Sequence, residues 1–117
     1  LLERTKESGE QMNLVIIEKY EEFFNYIYPI AQNMPRKHGT LRDVVLKTAM
    51  SQVDLFYRAV KSNQKSKLHE ADAGLATLRF LMRICTSKKL MTPHQHQVAS
   101  IKIAEVGGIL NSWIAKG

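Results

Sequence analysis

The chain reads as all-α, an up-down-up-down antiparallel four-helix bundle occupying residues 1–117 as a single domain. Three observations predict it. Apolar residues recur at three- and four-residue spacing almost throughout, and nowhere do valines, isoleucines and threonines alternate with polar residues as a half-buried strand requires. The breaks between the periodic stretches are short, so consecutive helices lie antiparallel. With 117 residues the chain can bury roughly two-thirds of the surface its unfolded form exposes, which is enough for one core.

The first helix is expected from about Ser8 to Asn33, with Met12, Val15, Ile16, Phe23, Ile27 and Ile30 on one broad face. Pro29 should kink it, since proline removes a backbone donor and crowds the preceding turn. Pro35-Arg36-Lys37-His38-Gly39 is turn chemistry. The second helix opens at Thr40, with Asp43 completing a capping-box-like pattern, and continues to about Lys61. Ser62 to Ser66 reverses the chain. The third helix spans about Lys65 to Thr86, and Ser87-Lys88-Lys89 turns again. Thr92-Pro93-His94-Gln95 then combines a threonine cap, a proline at the first helical position and a glutamine able to reach back, the clearest helix start in the chain.

The helices carry more apolar surface than one core needs. In the third, Leu68, Ala71, Leu75, Leu78 and Met82 form the core seam, while Ala73, Thr77, Phe80 and Ile84 line up roughly 150° away at 100° per residue. The second helix has only a narrow polar stripe of Asp43, Lys47, Ser51, Asp54, Arg58 and Lys61. The fourth sends Ala99, Ile103, Val106, Leu110 and Trp113 inward, with Ala104, Gly108 and Ala115 beside Ile101 on another side. Gly107 and Gly108 each cost a helix roughly 1 kcal/mol relative to alanine, which points to a packing reason for them. Helices apolar on two sides predict self-association, exposed patches or a wider monomer core being the alternative.

Charge bears on partners. The net charge is +6, divided unevenly: residues 1–33 hold six acids against three bases, and the remainder holds fourteen bases against five acids. An acidic first helix beside a basic remainder favours polyanions as ligands, a solvated lysine-rich surface being the alternative. Arg79 and Arg83 stand one turn apart on a polar strip of the third helix with Lys65, His69 and Asp72. Two guanidinium forks about 5–6 Å apart suit successive phosphates, a carboxylate pair, or salt bridges to an acidic first helix of a neighbouring copy. Arg36, Lys37, Lys61, Lys65, Lys67, Lys88 and Lys89 cluster at helix ends and turns. Most aromatics fall at core spacing, so backbone-directed binding is expected over base stacking.

Other chemistry finds little footing. His94 and His96 point about 200° apart on a helix, with no cysteine or carboxylate beside them, so no metal site is expected. Cys85 and the four histidines form no nucleophile-base set. A Gly-rich phosphate loop and a paired-carboxylate signature are both missing, so neither a catalytic centre nor a cofactor is expected. No apolar run approaches the roughly 20 residues that span a bilayer, Leu1-Leu2 is followed at once by Glu3 and Arg4, and a lone cysteine suits a reducing compartment. The expectation is a soluble cytoplasmic protein without a membrane partner.

Several segments add what periodicity cannot supply: Tyr28-Pro29-Ile30-Ala31-Gln32, Pro35-Arg36-Lys37-His38-Gly39, Lys61-Ser62-Asn63-Gln64 and Ser66-Lys67-Leu68. With them go Ala71-Asp72-Ala73-Gly74-Leu75, Leu78-Arg79-Phe80, Met91-Thr92-Pro93-His94-Gln95, Ile103-Ala104-Glu105-Val106-Gly107 and Ser112-Trp113-Ile114. Together they resemble the accessory variability determinant proteins of diversity-generating retroelements, within a wider four-helix family that includes the ribosomal intervening-sequence proteins. The resemblance covers about Tyr20 to the end. It implies a homopentameric barrel of four-helix protomers, basic on its surface, that binds RNA and DNA together with the reverse transcriptase of the element. That enzyme carries the chemistry when template-repeat RNA is copied, with adenine-directed errors, during mutagenic retrohoming. Arg79, Arg83, Lys61, Lys65 and Lys67 match basic positions of such a surface. A scaffold or adaptor of the intervening-sequence type, oligomeric but without nucleic-acid function, is the alternative.

Overall fold

The computed structural model describes residues 2–62 and 64–116, with side chains described from residue 15 onward. Four α-helices, α1 (Leu2–Gln32), α2 (Gly39–Ser62), α3 (Lys65–Ser87) and α4 (Pro93–Lys116), are joined by short connections, the first containing a 3₁₀ turn at Arg36–His38. No strand occurs among the described residues. Each helix packs on its sequence neighbours and α1 closes the ring on α4, so the four stand at the corners of an elongated bundle, 54 × 23 × 20 Å.

Two boundaries differ from expectation. The first helix starts at Leu2, because Glu3, Arg4, Lys6 and Glu7 are good helix formers and nothing obliges Ser8 to act as a cap. The second is entered directly from the 3₁₀ turn, with Gly39 already in right-handed helical conformation (φ −58°, ψ −37°). Thr40 therefore lies inside α2, and the Asp43 carboxylate accepts a hydrogen bond from Arg42 Nε at 3.2 Å where a capping box was expected. At α4 the expectation holds in full. Gln95 N–H donates to Thr92 Oγ1 at 3.0 Å, Thr92 N–H donates to Gln95 Oε1 at 3.0 Å, and Pro93 is the first helical residue. Across Pro29, α1 continues to Gln32, and Asn33 N–H donates to the Pro29 carbonyl at 3.1 Å.

The core seam of α3 is as expected: Leu68, Ala71, Leu75, Leu78 and Met82 are all buried. From α1 it receives Ile16, Tyr20, Phe23 and Ile27, and from α4 Ala99, Ile103, Val106 and Leu110. Val15, expected inside, is 41 % exposed, Ile30 and Trp113 are half-buried, and Met12 lies outside the described side chains. Tyr20 occupies the place that α1 would otherwise have to fill. Its ring meets Phe23 at 5.6 Å and Phe56 edge-on at 5.4 Å, and its hydroxyl donates to the Ala49 carbonyl at 2.5 Å. Burial pushes that phenol well above its ordinary range, so it stays a donor.

One polar side chain is buried in the core. Gln52 of α2 donates from Nε2 to the Ala71 carbonyl at 2.8 Å, while its Oε1 has no hydrogen-bond partner. That oxygen rests against Gly74, where a Cβ would collide with it. Gly74 is thus what lets α2 and α3 approach over a buried amide.

Candidate nucleic-acid interface

The lysines and arginines of the helix ends and turns fall at two ends of the bundle, while Lys19, Lys47, Arg79 and Lys102 lie along its length. At the α2–α3 end, Lys61 and Lys65 are exposed, while Lys67 is half-buried and pairs with Glu70 at 3.2 Å. Arg58 pairs with Asp54 at 2.6 Å, an acid that raises the already high pKa of the guanidinium. A groove of ≈ 470 Å³ runs between these groups, with Tyr57 and Ser62 in its wall. Acids and bases alternate here.

At the other end stand Arg36 and Lys37 of the 3₁₀ turn and Lys88 and Lys89 of the α3–α4 connection, all four exposed, with Pro35 and Lys89 lining one cleft. Among the described residues none of the four has a carboxylate within ion-pairing distance. Asp43, the acid nearest along the chain to the 3₁₀ turn, is held by Arg42. From Lys65 to Lys88 the helical rise amounts to about 35 Å. The seven residues singled out in the sequence therefore do not make one patch: Lys61, Lys65 and Lys67 stand at one end, and Arg36 and Lys37 at the opposite one.

The α3–α4 turn is built on a helix-terminating pattern normally given to glycine. Leu90 N–H donates to the Cys85 carbonyl at 2.8 Å and Lys89 N–H to the Thr86 carbonyl at 3.0 Å, the paired bonds of a Schellman motif. The residue between, Lys89, has φ 63°, the only non-glycine left-handed residue among those described. It stands at the mouth of a cleft of ≈ 520 Å³ between the C-terminal end of α1 and this turn. Ile30, Met34 and Leu90 form the apolar part of the cleft wall, and Asn25, Asn33 and Gln95 contribute carboxamides.

Arg79 and Arg83 separate. Arg83 is exposed, its guanidinium carbon 6.0 Å from the centroid of the Phe80 ring, a cation–π arrangement. Arg79 is half-buried in the groove between α3 and α4, where a methyl group on Gly107 would come within 2.7 Å of its Nη2. Only Arg83 is thus open as expected, and Gly107 owes its place to the arginine lying over it. Gly108 faces open space, with nothing within 4 Å of where a Cβ would stand.

The second apolar faces are also on the surface. Val44, Met50 and Tyr57 of α2, Phe80 of α3 and Ile101 of α4 are each 44–55 % exposed. Met50 and Tyr57 border a groove of ≈ 350 Å³ between α1 and α2 that Ile17, Phe24 and Val53 also line. Phe80 and Ile101 belong to the α3–α4 pair across the bundle. The exposure of Tyr57 and Phe80 was legible in helix phase, since both fall off their core seams, but aromatic type alone pulls such residues inward in a reading by composition.

Cys85 is buried, and desolvation raises its thiol pKa, so it packs as a small apolar residue. Among the described residues no three histidine, cysteine or acidic side chains converge on a point where a metal ion would fit. No described helix is long and apolar enough to cross a membrane.

Fold and surface together define a helical bundle whose exposed groups include cations at its ends and apolar faces on its flanks. Among protein families, the one described as bAvd-like matches residues 14–117, and the chain belongs to it. This is an Avd-type accessory variability determinant protein. No curated protein matches the chain.

Proposed function

We propose that this protein is a non-enzymatic, cytoplasmic accessory subunit of a diversity-generating retroelement, binding nucleic acid and the reverse transcriptase of the element and needed for mutagenic retrohoming. The observation that carries the reading is membership of the bAvd-like family over residues 14–117. Two physical features support it. Cations unmatched by acids crowd one end of the bundle, the arrangement that draws a phosphate backbone by counterion release. An apolar groove on the α1–α2 side stands opposite the Phe80 and Ile101 surface, so that one copy can seat its α3–α4 face in the groove of the next. Such a contact is heterologous, and repeated with rotational closure it gives a ring, with five copies expected from the family resemblance.

Co-expression with the neighbouring reverse transcriptase tests the reading. The two should co-purify, and retrohoming should stop when this chain is deleted. If the chain and the enzyme elute separately and diversification continues without it, the reading is wrong. Light scattering on the purified protein should give five copies, and a monodisperse 13.4 kDa species would remove the ring.

A further inference from the structure

We propose that the cleft between the end of α1 and the α3–α4 turn is a site for one nucleotide, with its base among the carboxamides of Asn25, Asn33 and Gln95 and its phosphate at Lys89. The site goes beyond the charge-driven binding proposed above and does not require it.

The ≈ 520 Å³ of the cleft lies within the range of small-ligand sites. Its wall joins an apolar part, Ile30 and its neighbours, to polar groups that are not used elsewhere. Asn25 of α1 and Asn33, just past the end of that helix, both line the cleft, and among the described residues neither carboxamide hydrogen-bonds within the protein. Gln95 spends its oxygen on the Thr92 N–H, which leaves its NH₂ free. A carboxamide offers a donor and an acceptor side by side, the pattern that matches the hydrogen-bonding edge of a base. Tyr26, with Lys102 Nζ at 5.9 Å from its ring centroid, and the ring of Pro29 supply flat surfaces for stacking.

Electrostatics narrows the ligand class. No carboxylate lines the cleft, and Lys89 in its wall favours an anion. The backbone of Lys89 points the same way. At φ 63° a glycine would be the cheaper residue, so the lysine is kept at a conformational cost, and such positions concentrate where a side chain is used.

The shared chemistry is a planar base bearing a phosphate, from a free nucleotide or from an unpaired position in a strand. Calorimetric titration of the full chain with AMP, GMP, CMP and UMP, with inorganic phosphate, with a single-stranded hexanucleotide and with duplex DNA separates these sources. At least one monophosphate should bind, with inorganic phosphate weaker by about tenfold or more, since the base contributes its own contacts. Lys89→Gly should melt higher than the parent yet lose about tenfold in nucleotide affinity, and Asn33→Ala should lose nucleotide affinity without a change in duplex binding. If Asn33→Ala also weakens the hexanucleotide, the source is a strand; if it weakens only monophosphates, the source is a free nucleotide. The inference is overturned if no monophosphate binds at millimolar concentration, if phosphate binds as well as the monophosphates, or if both variants bind like the parent. Duplex binding that persists beside such a failure leaves the charge-driven binding standing, and nucleotide binding without duplex binding removes the charge-driven binding and keeps the cleft.

Discussion

The two ends of the bundle hold similar numbers of cations and dispose of them differently. At the α2–α3 end, Lys67 and Arg58 are tied to Glu70 and Asp54, and of the four only Lys61 and Lys65 are unpaired among the described residues. At the α3–α4 end, Arg36, Lys37, Lys88 and Lys89 are free together, beside a cleft without acids. The termini differ in the same sense. Helix α4 begins with a complete capping box, whereas Gln64 precedes α3 with no side-chain cap at all. A count of lysines and arginines describes both ends equally, and only their pairing with acids tells which can neutralise phosphate.

The largest expected effect follows from that difference. Replacing Arg36, Lys37, Lys88 and Lys89 together by alanine should lower duplex affinity on the order of 10³-fold at 0.1 M salt, against roughly 10–100-fold for Lys61 and Lys65. Fluorescence anisotropy on one labelled duplex measures both. Equal losses would erase the distinction between the ends.

Smaller effects test how firmly each end is built. Thr92→Ala removes one half of the α4 capping box and should destabilise the fold by about 1–2 kcal/mol in urea unfolding. Lys89→Gly relieves a left-handed backbone position and should stabilise by about 1 kcal/mol. Gln64→Ser supplies the cap that α3 lacks and should contribute about 0.5–1 kcal/mol, the smallest of the three.

Much of this architecture was legible before any coordinates. The α3 seam and the α4 start were read residue by residue, because a 3.6-residue period and a proline-marked capping box are local signals. The exposed polar stripe of α2, from Asp43 to Lys61, was legible for the same reason. The start of α2 was not: Gly39 continues a 3₁₀ turn into the helix, and a glycine in right-handed helical conformation looks like a break from sequence alone. Tyr20 and Gln52 were missed as core residues, since each needs a carbonyl on a neighbouring helix that no single-helix pattern reveals. The candidate surface was legible as a set of residues and not as a place. Arg79 and Arg83 share a helical strip, yet the gap left by Gly107 draws one arginine into the α3–α4 groove while the other stays open beside Phe80. Lys89 was visible as a charge, but its left-handed backbone and the cleft beside it arise only when the ends of α1 and α3 meet.

The salt dependence of duplex binding tests most directly the proposal that this bundle engages nucleic acid through the phosphate backbone. With about 6–8 phosphates neutralised, log affinity plotted against log salt should fall with a slope near −5 to −7, nearly independent of duplex sequence. A flat profile, or affinity that follows sequence and ignores salt, would contradict it.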